Sequence, residues 1–325
     1  MKVLVTGGAG YIGSQTSKAL AAAGHTPIVF DNLSGGHRWA VRWGVLEEGD
    51  VGDLARLASV MATHRPDAVI HFAALISVGE SVARPEPYYR VNVGGAVNVL
   101  EAMRAAGVSR FVFSSTATVH GSPPALPITE DMPYAPMSPY SRSKAMVEQI
   151  LADAAGASDL ACVALRYFNA CGADPGGEVG EAHRPETHLI PLLLGAIRDD
   201  QPLTLNGDDY ATPDGTCVRD YIHVADLARA HVLALERLQP GFRAYNLGTG
   251  EGYSVRQIID AARKVTGKDL MVQIGPRRPG DPPAQWADPS RAAAELGFRA
   301  EASSLESILS SAWAWTTKPP VYAAA

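Results

Sequence analysis

The chain has 325 residues, of which 46% are hydrophobic and 19% are charged, and its formal net charge at pH 7 is −6. These values are typical of an ordinary globular protein with one large and one smaller lobe. The acidic balance argues against a broad nucleic-acid surface, because such a surface needs clustered basic side chains.

The ends of the chain and its cysteines bear on the compartment. No run approaches the ~20 apolar residues of a membrane span, and the residues after Met1 do not form a signal peptide. Cys162, Cys171 and Cys217 lie in no metal-like cluster and cannot all pair with one another. We therefore predict a cytoplasmic protein with reduced thiols, without a metal site and without a membrane or nucleic-acid partner.

In the first half, short apolar runs alternate with amphipathic stretches. This pattern predicts strands at residues 2–6, 27–31, 67–72, 110–114 and 160–167, and helices at residues 12–23, 91–106 and 139–155. Apolar strands separated by helices are typical of a parallel sheet covered on both faces. The predicted fold class is α/β, with a doubly wound Rossmann-type sheet.

After residue 169 the pattern loosens. Helices are predicted at residues 189–198, 225–238 and 305–316, short strands at 203–205 and 220–224, and loops at 172–186 and 276–286. We assign residues 1–169 to the first domain, with 218–240 returning to it. Residues 170–217 and 241–325 are expected to form a smaller C-terminal α/β lobe that binds the substrate.

A glycine-rich segment, Thr6-Gly-Gly-Ala-Gly10-Tyr-Ile-Gly13, joins the first predicted strand to the first helix. Gly7 and Gly10 permit a tight turn and let a pyrophosphate approach the backbone, and Gly13 lets the helix pack closely on the sheet. The N-terminus of the helix faces the phosphate charge. The segment therefore predicts a dinucleotide-binding loop.

Two acids follow at strand ends. Asp31 stands near the spacing at which a carboxylate binds the ribose hydroxyls, and a carboxylate there repels a 2′-phosphate. NAD is therefore favoured over NADP. Asp50 follows another short strand and is expected along the adenine edge, although a solvated acid explains it almost as well.

Tyr140 and Lys144 open a predicted helix just after Pro139, and their spacing of four puts both side chains on one face. A neighbouring ammonium and a positive nicotinamide ring are expected to lower the phenol pKa from ~10 by roughly three units, which needs about 4 kcal/mol. The phenolate can then take a proton from a hydroxyl while hydride leaves the same carbon. Thr116 ends the preceding strand, where its hydroxyl is expected to bond the reacting oxygen; Ser114 fits a strand-end backbone contact better.

These motifs resemble the extended short-chain dehydrogenase/reductases, and within them the UDP-glucose (galactose) 4-epimerases. The resemblance extends to about Trp315. It rests on Gly7-x-x-Gly10-x-x-Gly13, Asp31-Asn-Leu33, His71-Phe-Ala73, residues 114–121, Ser138-Pro-Tyr140-x-x-x-Lys144, Arg166-Tyr-Phe-Asn169, Asp214-Gly-Thr-Cys-Val-Arg219-Asp-Tyr-Ile-His-Val224, Tyr245-Asn-Leu-Gly-Thr-Gly250 and Arg277-Arg-Pro-Gly-Asp281.

The resemblance implies an NAD cofactor, a UDP-sugar substrate and a homodimer. Tyr140 would be the base, Lys144 its electrostatic partner and a ribose ligand, and Thr116 the hydroxyl that bonds the tyrosine or the substrate. The implied cofactor contacts are Gly7, Gly10, Tyr11, Ile12, Gly13, Asp31, Asn32, Asp50, Val51, Phe72, Ala73, Ala74, Asn92, Ser114, Tyr140, Lys144 and Phe168. The implied substrate contacts are Thr116, Tyr140, Asn169, His188, Leu189, Arg219, Arg278, Asp281 and Gln285.

The resemblance also implies a reaction: UDP-galactose and UDP-glucose interconvert by removal and return of hydride at sugar carbon 4, through a 4-keto intermediate. Gln285 would lie beside the sugar and disfavour, without excluding, N-acetylated sugars; alternatively it points to solvent. The chain departs from the family pattern at five positions, Gly35, Gly36, Ile76, His120 and His188. We expect the changes at Gly35, Gly36 and Ile76 to loosen cofactor retention.

Three other functions are compatible with a glycine loop in this type of fold. A UDP-sugar 4-epimerase of the same kind could act on N-acetylhexosamine or pentose sugars. A nucleotide-sugar 4,6-dehydratase needs an acid/base pair beside the strand-end threonine, but Ala117 and Thr118 follow Thr116. A silent NAD-sensing regulator would keep the glycine loop and tend to lose the Tyr140–Lys144 pair, which this chain retains.

Overall fold

The computed structural model describes residues 1–122, 125–278, 281–320 and 323. The strands are β1 (Lys2–Thr6), β2 (Thr26–Asp31), β3 (Val45–Glu48), β4 (Ala68–His71), β5 (Arg110–Ser114), β6 (Ala161–Arg166), β7 (Asn169–Cys171), β8 (Leu203–Asn206), β9 (Val218–Arg219), β10 (Tyr221–His223), β11 (Gly241–Asn246), β12 (Tyr253–Ser254), β13 (Val272–Gly275) and β14 (Ala284–Gln285). The helices are α1 (Tyr11–Ala22), α2 (Leu54–His64), α3 (Val78–Ala83), α4 (Pro85–Tyr88), α5 (Gly95–Ala106), α6 (Pro139–Gly156), α7 (Leu189–Asp199), α8 (Val224–Glu236), α9 (Val255–Thr266), α10 (Ser290–Leu296) and α11 (Leu305–Thr317).

The large sheet has seven parallel strands in the order β11-β6-β5-β4-β1-β2-β3. The predicted doubly wound parallel sheet is confirmed. The chain winds outward from β1 to β3, then returns to β4 and winds the other way. The direction therefore reverses between β1 and β4, and open α/β sheets bind ligands beyond the carboxyl ends of such neighbouring strands.

Both faces of this sheet are buried, because successive strand residues point to opposite sides. Leu4 packs in an apolar cluster with residues of α2, α5 and α6. Val3 and Val5 pack in a second cluster with Leu20 of α1 and Leu227 of α8. The two helical layers hold the strands rigidly, and with them the strand ends that form the site.

The boundary at residue 241 differs from the prediction. Gly241–Asn246 is β11, the edge strand of the large sheet, where it pairs with β6 along its whole length. The smaller lobe has its own apolar cluster, in which α7, α9 and α11 pack against β8 and Tyr221. Short strands join it to the first lobe: β7 pairs with β10, and β9 lies between β12 and β14.

The helix predicted at residues 91–106 begins as a π-helical turn, Tyr89–Gly94, that continues into α5. β14 lies within the stretch that was predicted to be a loop. Within the described residues, the helices are all too short or too polar to cross a membrane.

Candidate active site

The glycine-rich segment forms a tight loop between β1 and α1. The Gly7 amide donates to Phe30 O across 2.8 Å, and the Gly10 amide donates to Gly7 O across 3.1 Å. Gly7 has φ +73°, and a Cβ there would stand 2.6 Å from the amide nitrogen of Ala73. Gly10 begins α1 without a side-chain cap, so the helix N-terminus is left to face a ligand.

Asp31 holds this loop from the neighbouring strand. Its carboxylate is buried and accepts the amides of Ala9 (3.0 Å) and Leu33 (2.8 Å). Burial raises the pKa of Asp31, although these two hydrogen bonds oppose the change. Gly36 has a steric reason to be glycine, because a Cβ there would stand 2.8 Å from the carbonyl carbon of Ala9. Nearby, the Asn32 amide donates to Asp50 across 2.7 Å and so connects two predicted adenosine contacts.

The helix that carries Tyr140 begins at a capping box. Ser138 Oγ accepts the Ser141 amide across 3.2 Å, and Ser141 Oγ accepts the Ser138 amide across 3.0 Å. Pro139 occupies the first turn, where its missing N–H costs no hydrogen bond. This start fixes the orientation of the first turn, which holds Tyr140, and of Lys144 one turn later.

Lys144 lies beneath the site and is buried. Its ammonium donates to the main-chain oxygen of Ser114 across 2.8 Å and stands 4.8 Å from the centre of the Phe113 ring. Burial lowers the pKa of Lys144 to about 7, against an opposing effect of Glu148. The lysine is therefore poised between its charged and neutral forms near neutral pH.

The phenol of Tyr140 lies beside Thr116, whose hydroxyl contacts Thr118 Oγ1 across 2.9 Å. Burial raises the pKa of Tyr140 to about 12, and the Thr116 hydroxyl opposes this. The predicted lowering is thus not found in the protein groups alone. Lys144 uses one of its three ammonium donors on Ser114 O, and the positive nicotinamide ring is the second cation that the prediction requires.

Predicted substrate contacts converge where β7, β9 and β14 meet. Arg219 pairs with Asp281 and donates to Pro282 O across 2.7 Å. Asn169 donates to Asp220 O across 2.8 Å. Gln285 is paired with Arg219 in the β9–β14 ladder, and its amide donates to Gly121 O across 2.6 Å. Gln285 is only 6% exposed, which excludes the alternative in which its side chain points to solvent.

Other predicted contacts have protein partners of their own. Asn92 is buried and binds the Leu75 backbone (2.8 and 3.1 Å) and Ser143 Oγ (2.9 Å), so it positions α6. Ser114 Oγ bonds the Tyr167 hydroxyl at 2.5 Å. Arg278 is exposed. Val51 is buried, whereas the remaining predicted contacts are partly exposed: Phe72, Ala73, Ala74, Phe168 and Leu189.

A buried ion pair beside the site was not predicted. Arg166 Nη2 lies 2.5 Å from Glu148 Oε2, and both side chains are almost fully buried. Glu148 also accepts the hydroxyl of Ser115, the residue before Thr116. His120, which departs from the family pattern, lies 3.1 Å from Arg166 through Nε2. The partners come from α6, β6 and the segment after β5, so no local spacing in the sequence reveals them.

A second group without a prediction surrounds His188, which begins α7. His183 and His188 both face Glu181 and Glu186. Burial lowers the pKa of both histidines, but the two glutamates outweigh this effect and raise the pKa of His183 to about 9 and that of His188 to about 10. The Glu-x-His-x-x-Glu-x-His spacing is the signal that could have identified the group.

Comparison with known proteins identifies the family. The sequence profile described as the NAD dependent epimerase/dehydratase family matches residues 3–248. The chain belongs to this family. A UDP-glucose 4-epimerase of Rhizobium leguminosarum bv. trifolii is 50% identical over 97% of both chains.

Solved structures of epimerases agree with this family assignment. The UDP-glucose 4-epimerase of Brucella ovis, in complex with NAD, is 53% identical, with a TM-score of 0.93 over 96% of this chain and 97% of that one. The UDP-Glc/GlcNAc 4-epimerase of Campylobacter jejuni is 37% identical, with a TM-score of 0.85 over 98% and 99%.

NAD is the cofactor of this chain, as the name of its family states. The glycine-rich loop and Asp31 fit this cofactor. The loop has no side chain at Gly7, Gly10 or Gly13 to obstruct a pyrophosphate, and a Cβ at Gly13 would overlap Gly7 O. Asp31 stands at the end of β2, where it can meet ribose hydroxyls and repel a 2′-phosphate.

Proposed function

We propose that this chain interconverts UDP-galactose and UDP-glucose by inverting sugar carbon 4. The observation that carries the proposal is the placement of Tyr140 beside Thr116 and of Lys144, one turn later on α6, against Ser114 O at the carboxyl end of β5. The names of the Rhizobium and Brucella relatives support the same activity.

When bound, NAD supplies the acceptor that takes hydride from sugar carbon 4 and returns it. Tyr140 removes the proton of the 4-hydroxyl and gives it back after the 4-keto sugar has turned over. Thr116 donates to the phenolate oxygen while it carries charge. Lys144 holds the helix against Ser114 and adds positive charge when protonated.

The diphosphate and uridine belong to the smaller lobe in this proposal. Arg219 and Arg278 face the phosphates, for which a guanidinium is well suited. Asp281 and Asn169 hold the nucleoside. The Arg219–Asp281 ion pair keeps the guanidinium oriented before substrate arrives.

Two other substrates or reactions define the limits of the proposal. N-acetylated UDP-sugars are expected as weaker substrates, since Gln285 would disfavour an N-acetyl group without excluding it and the Campylobacter relative is named for both sugar types. A 4,6-dehydratase is disfavoured, because Ala117 and Thr118 follow Thr116 and supply no acid/base pair.

The test uses purified protein with either UDP-galactose or UDP-glucose. Chromatography of the products should show the same final ratio of the two sugars from both directions. A product lighter by one water would indicate the dehydratase, and no conversion in either direction would overturn the proposal.

We further propose that the chain works as a cytoplasmic homodimer. Exposed apolar side chains on α5 (Val97) and α6 (Met146) offer a surface for a second copy. The free thiols of Cys162, Cys171 and Cys217 suit a reducing compartment. Light scattering of the wild type should give a mass of two chains. The double variant Val97→Glu/Met146→Glu should give the mass of one chain, and a monomeric wild type would contradict the dimer.

A further inference from the structure

Four side chains with metal-binding atoms converge between β7 and α7. Glu181, His183, Glu186 and His188, here the Glu/His cluster, each offer one ligand atom, and these atoms lie within 4.8 Å of one another. The cluster adjoins the phosphate loop, since the rings of His183 and Tyr11 meet edge to face at 6.3 Å.

Four distances within the cluster lie near the spacing of ligands around a tetrahedral ion. His183 Nδ1 lies 3.1 Å from Glu181 and 3.6 Å from Glu186, and His188 Nδ1 lies 2.8 Å and 3.2 Å from the same two carboxylates. Ligands bound at about 2.0–2.1 Å to one tetrahedral zinc ion are separated by ~3.3 Å. The observed distances fall on both sides of this value.

Hydrogen bonding alone does not account for the arrangement. His188 Nδ1 is shielded from solvent and aligned for a hydrogen bond with neither carboxylate, although both lie within 3.2 Å. His183 Nδ1 and His188 Nδ1 both crowd the same Oε1 atom of Glu181. His183 Nδ1 makes a hydrogen bond with that oxygen across 3.1 Å, whereas His188 Nδ1 has no aligned partner, so the His188 nitrogen suits a common centre between the four side chains.

We propose that the Glu/His cluster binds one divalent transition-metal ion, for which zinc is the best fit. Two imidazoles, which lose their protons when they bind the ion, and two carboxylates match the ligand preference of zinc, and the two negative charges balance the ion. Four protein ligands leave no open position, which is the pattern of a structural site. The His188 side chain, 42% exposed, gives the ion a path from solvent, and Glu181, 7% exposed, forms the floor.

Neighbouring bonds hold the ligands in this position. The indole of Trp315 donates to Glu181 O across 2.9 Å, and His37 Nε2 donates to Ala182 O across 2.7 Å. Glu186 Oε1 accepts the amides of Thr187 (2.7 Å) and His188 (2.8 Å). The ion would therefore connect the start of α7 to the phosphate loop and α11. Ligation through Nδ1 leaves His188 Nε2 available to the substrate.

Metal content of the full chain provides the test. Metal is first removed from the protein with a chelator. After dialysis against zinc chloride and then against zinc-free buffer, the wild-type protein should hold one zinc ion per chain. His183→Ala/His188→Ala should lose it. His64→Ala is the matched control, because His64 faces a single glutamate, Glu47, across 2.6 Å. A wild type without zinc, or equal zinc in wild type and the double variant, would overturn the site.

If the double variant fails to fold, cobalt(II) binding to the wild-type chain tests the site instead. Wild type should give the intense visible bands of four-coordinate cobalt, and zinc should displace them. A pale six-coordinate spectrum would refute the proposal. Neither readout needs substrate, so failure of the metal site and failure of the epimerase activity are distinguished.

Discussion

The ammonium of Lys144 donates a 2.8 Å hydrogen bond to the main-chain oxygen of Ser114. This bond ties α6, which carries Tyr140, to the end of β5, from which Thr116 follows. The base and its hydroxyl partner are thus held by one contact between a helix and a strand. Burial lowers the pKa of Lys144 to about 7, so the charge of the side chain that makes this contact depends on pH near neutrality.

Tyr140→Phe should lower kcat by about 10²–10⁴-fold, the usual contribution of a positioned proton-transfer group. Binding of UDP, measured by calorimetry, should change little, because the ring still fills the site. Tyr245→Phe is the control, since that hydroxyl bonds Glu295 at the edge strand β11. Near-normal turnover in Tyr140→Phe would remove this residue from the mechanism.

Gln285 should set the preference between plain and N-acetylated sugars. Gln285→Gly should raise, and Gln285→Tyr should lower, kcat/KM for UDP-N-acetylglucosamine relative to UDP-glucose, by the ~1–3 kcal/mol of a small misfit. The 2.6 Å bond to Gly121 O holds the amide, and glycine removes it. If both variants leave the ratio within about twofold of wild type, below ~0.5 kcal/mol, Gln285 is not the gate.

Glu148→Gln should destabilise the fold by about 3–5 kcal/mol, because it leaves the buried Arg166 guanidinium without its counter-charge. Urea unfolding at constant m-value measures the loss. Glu47→Gln, in a partly exposed pair with Arg56, should cost about 1 kcal/mol or less. Equal losses in the two variants would show that the buried pair is not special.

Because of His231, the free energy of unfolding should fall as the pH is lowered. Burial lowers its pKa to about 4, although the Leu227 carbonyl opposes this. Between about 6.5, the unfolded value, and 4, the unfolded chain binds a proton that the native state does not, so stability rises with pH. His231→Phe should flatten the pH dependence of the unfolding free energy there by up to about 1.4 kcal/mol per pH unit. An unchanged slope would contradict a neutral buried imidazole. Burial lowers the pKa of His71 to about 3, and His71 therefore contributes the same pH dependence of stability in the wild type and in His231→Phe.

The parts of the site that could be predicted are local in sequence. The phosphate loop lies between one strand and one helix, and Tyr140 and Lys144 share one helix face, so spacing alone relates them. The parallel sheet could be predicted because its central strands are apolar on both faces. β11 could not, because Gly241 and Arg243 interrupt its sequence, Gly-Phe-Arg-Ala-Tyr-Asn, and leave neither a continuous apolar run nor a regular alternation.

Long-range contacts could not be predicted. The Gln285–Gly121 bond joins residues 164 positions apart, and the Arg166–Glu148 pair joins a strand to a helix. The raised pKa of Tyr140 depends on how much solvent the folded chain excludes, which no motif encodes. The Glu/His cluster is local, but its loop composition suggested an irregular segment rather than converging ligands.

In the proposed reaction, hydride leaves and returns to the same sugar while NAD is recycled. UDP-galactose labelled with tritium at carbon 4 should be converted, with NAD present only in amounts comparable to the enzyme, into UDP-glucose that keeps its tritium. Free NADH should not accumulate and water should stay unlabelled. Tritium that appears in free NADH or in water in proportion to the sugar converted would contradict the account.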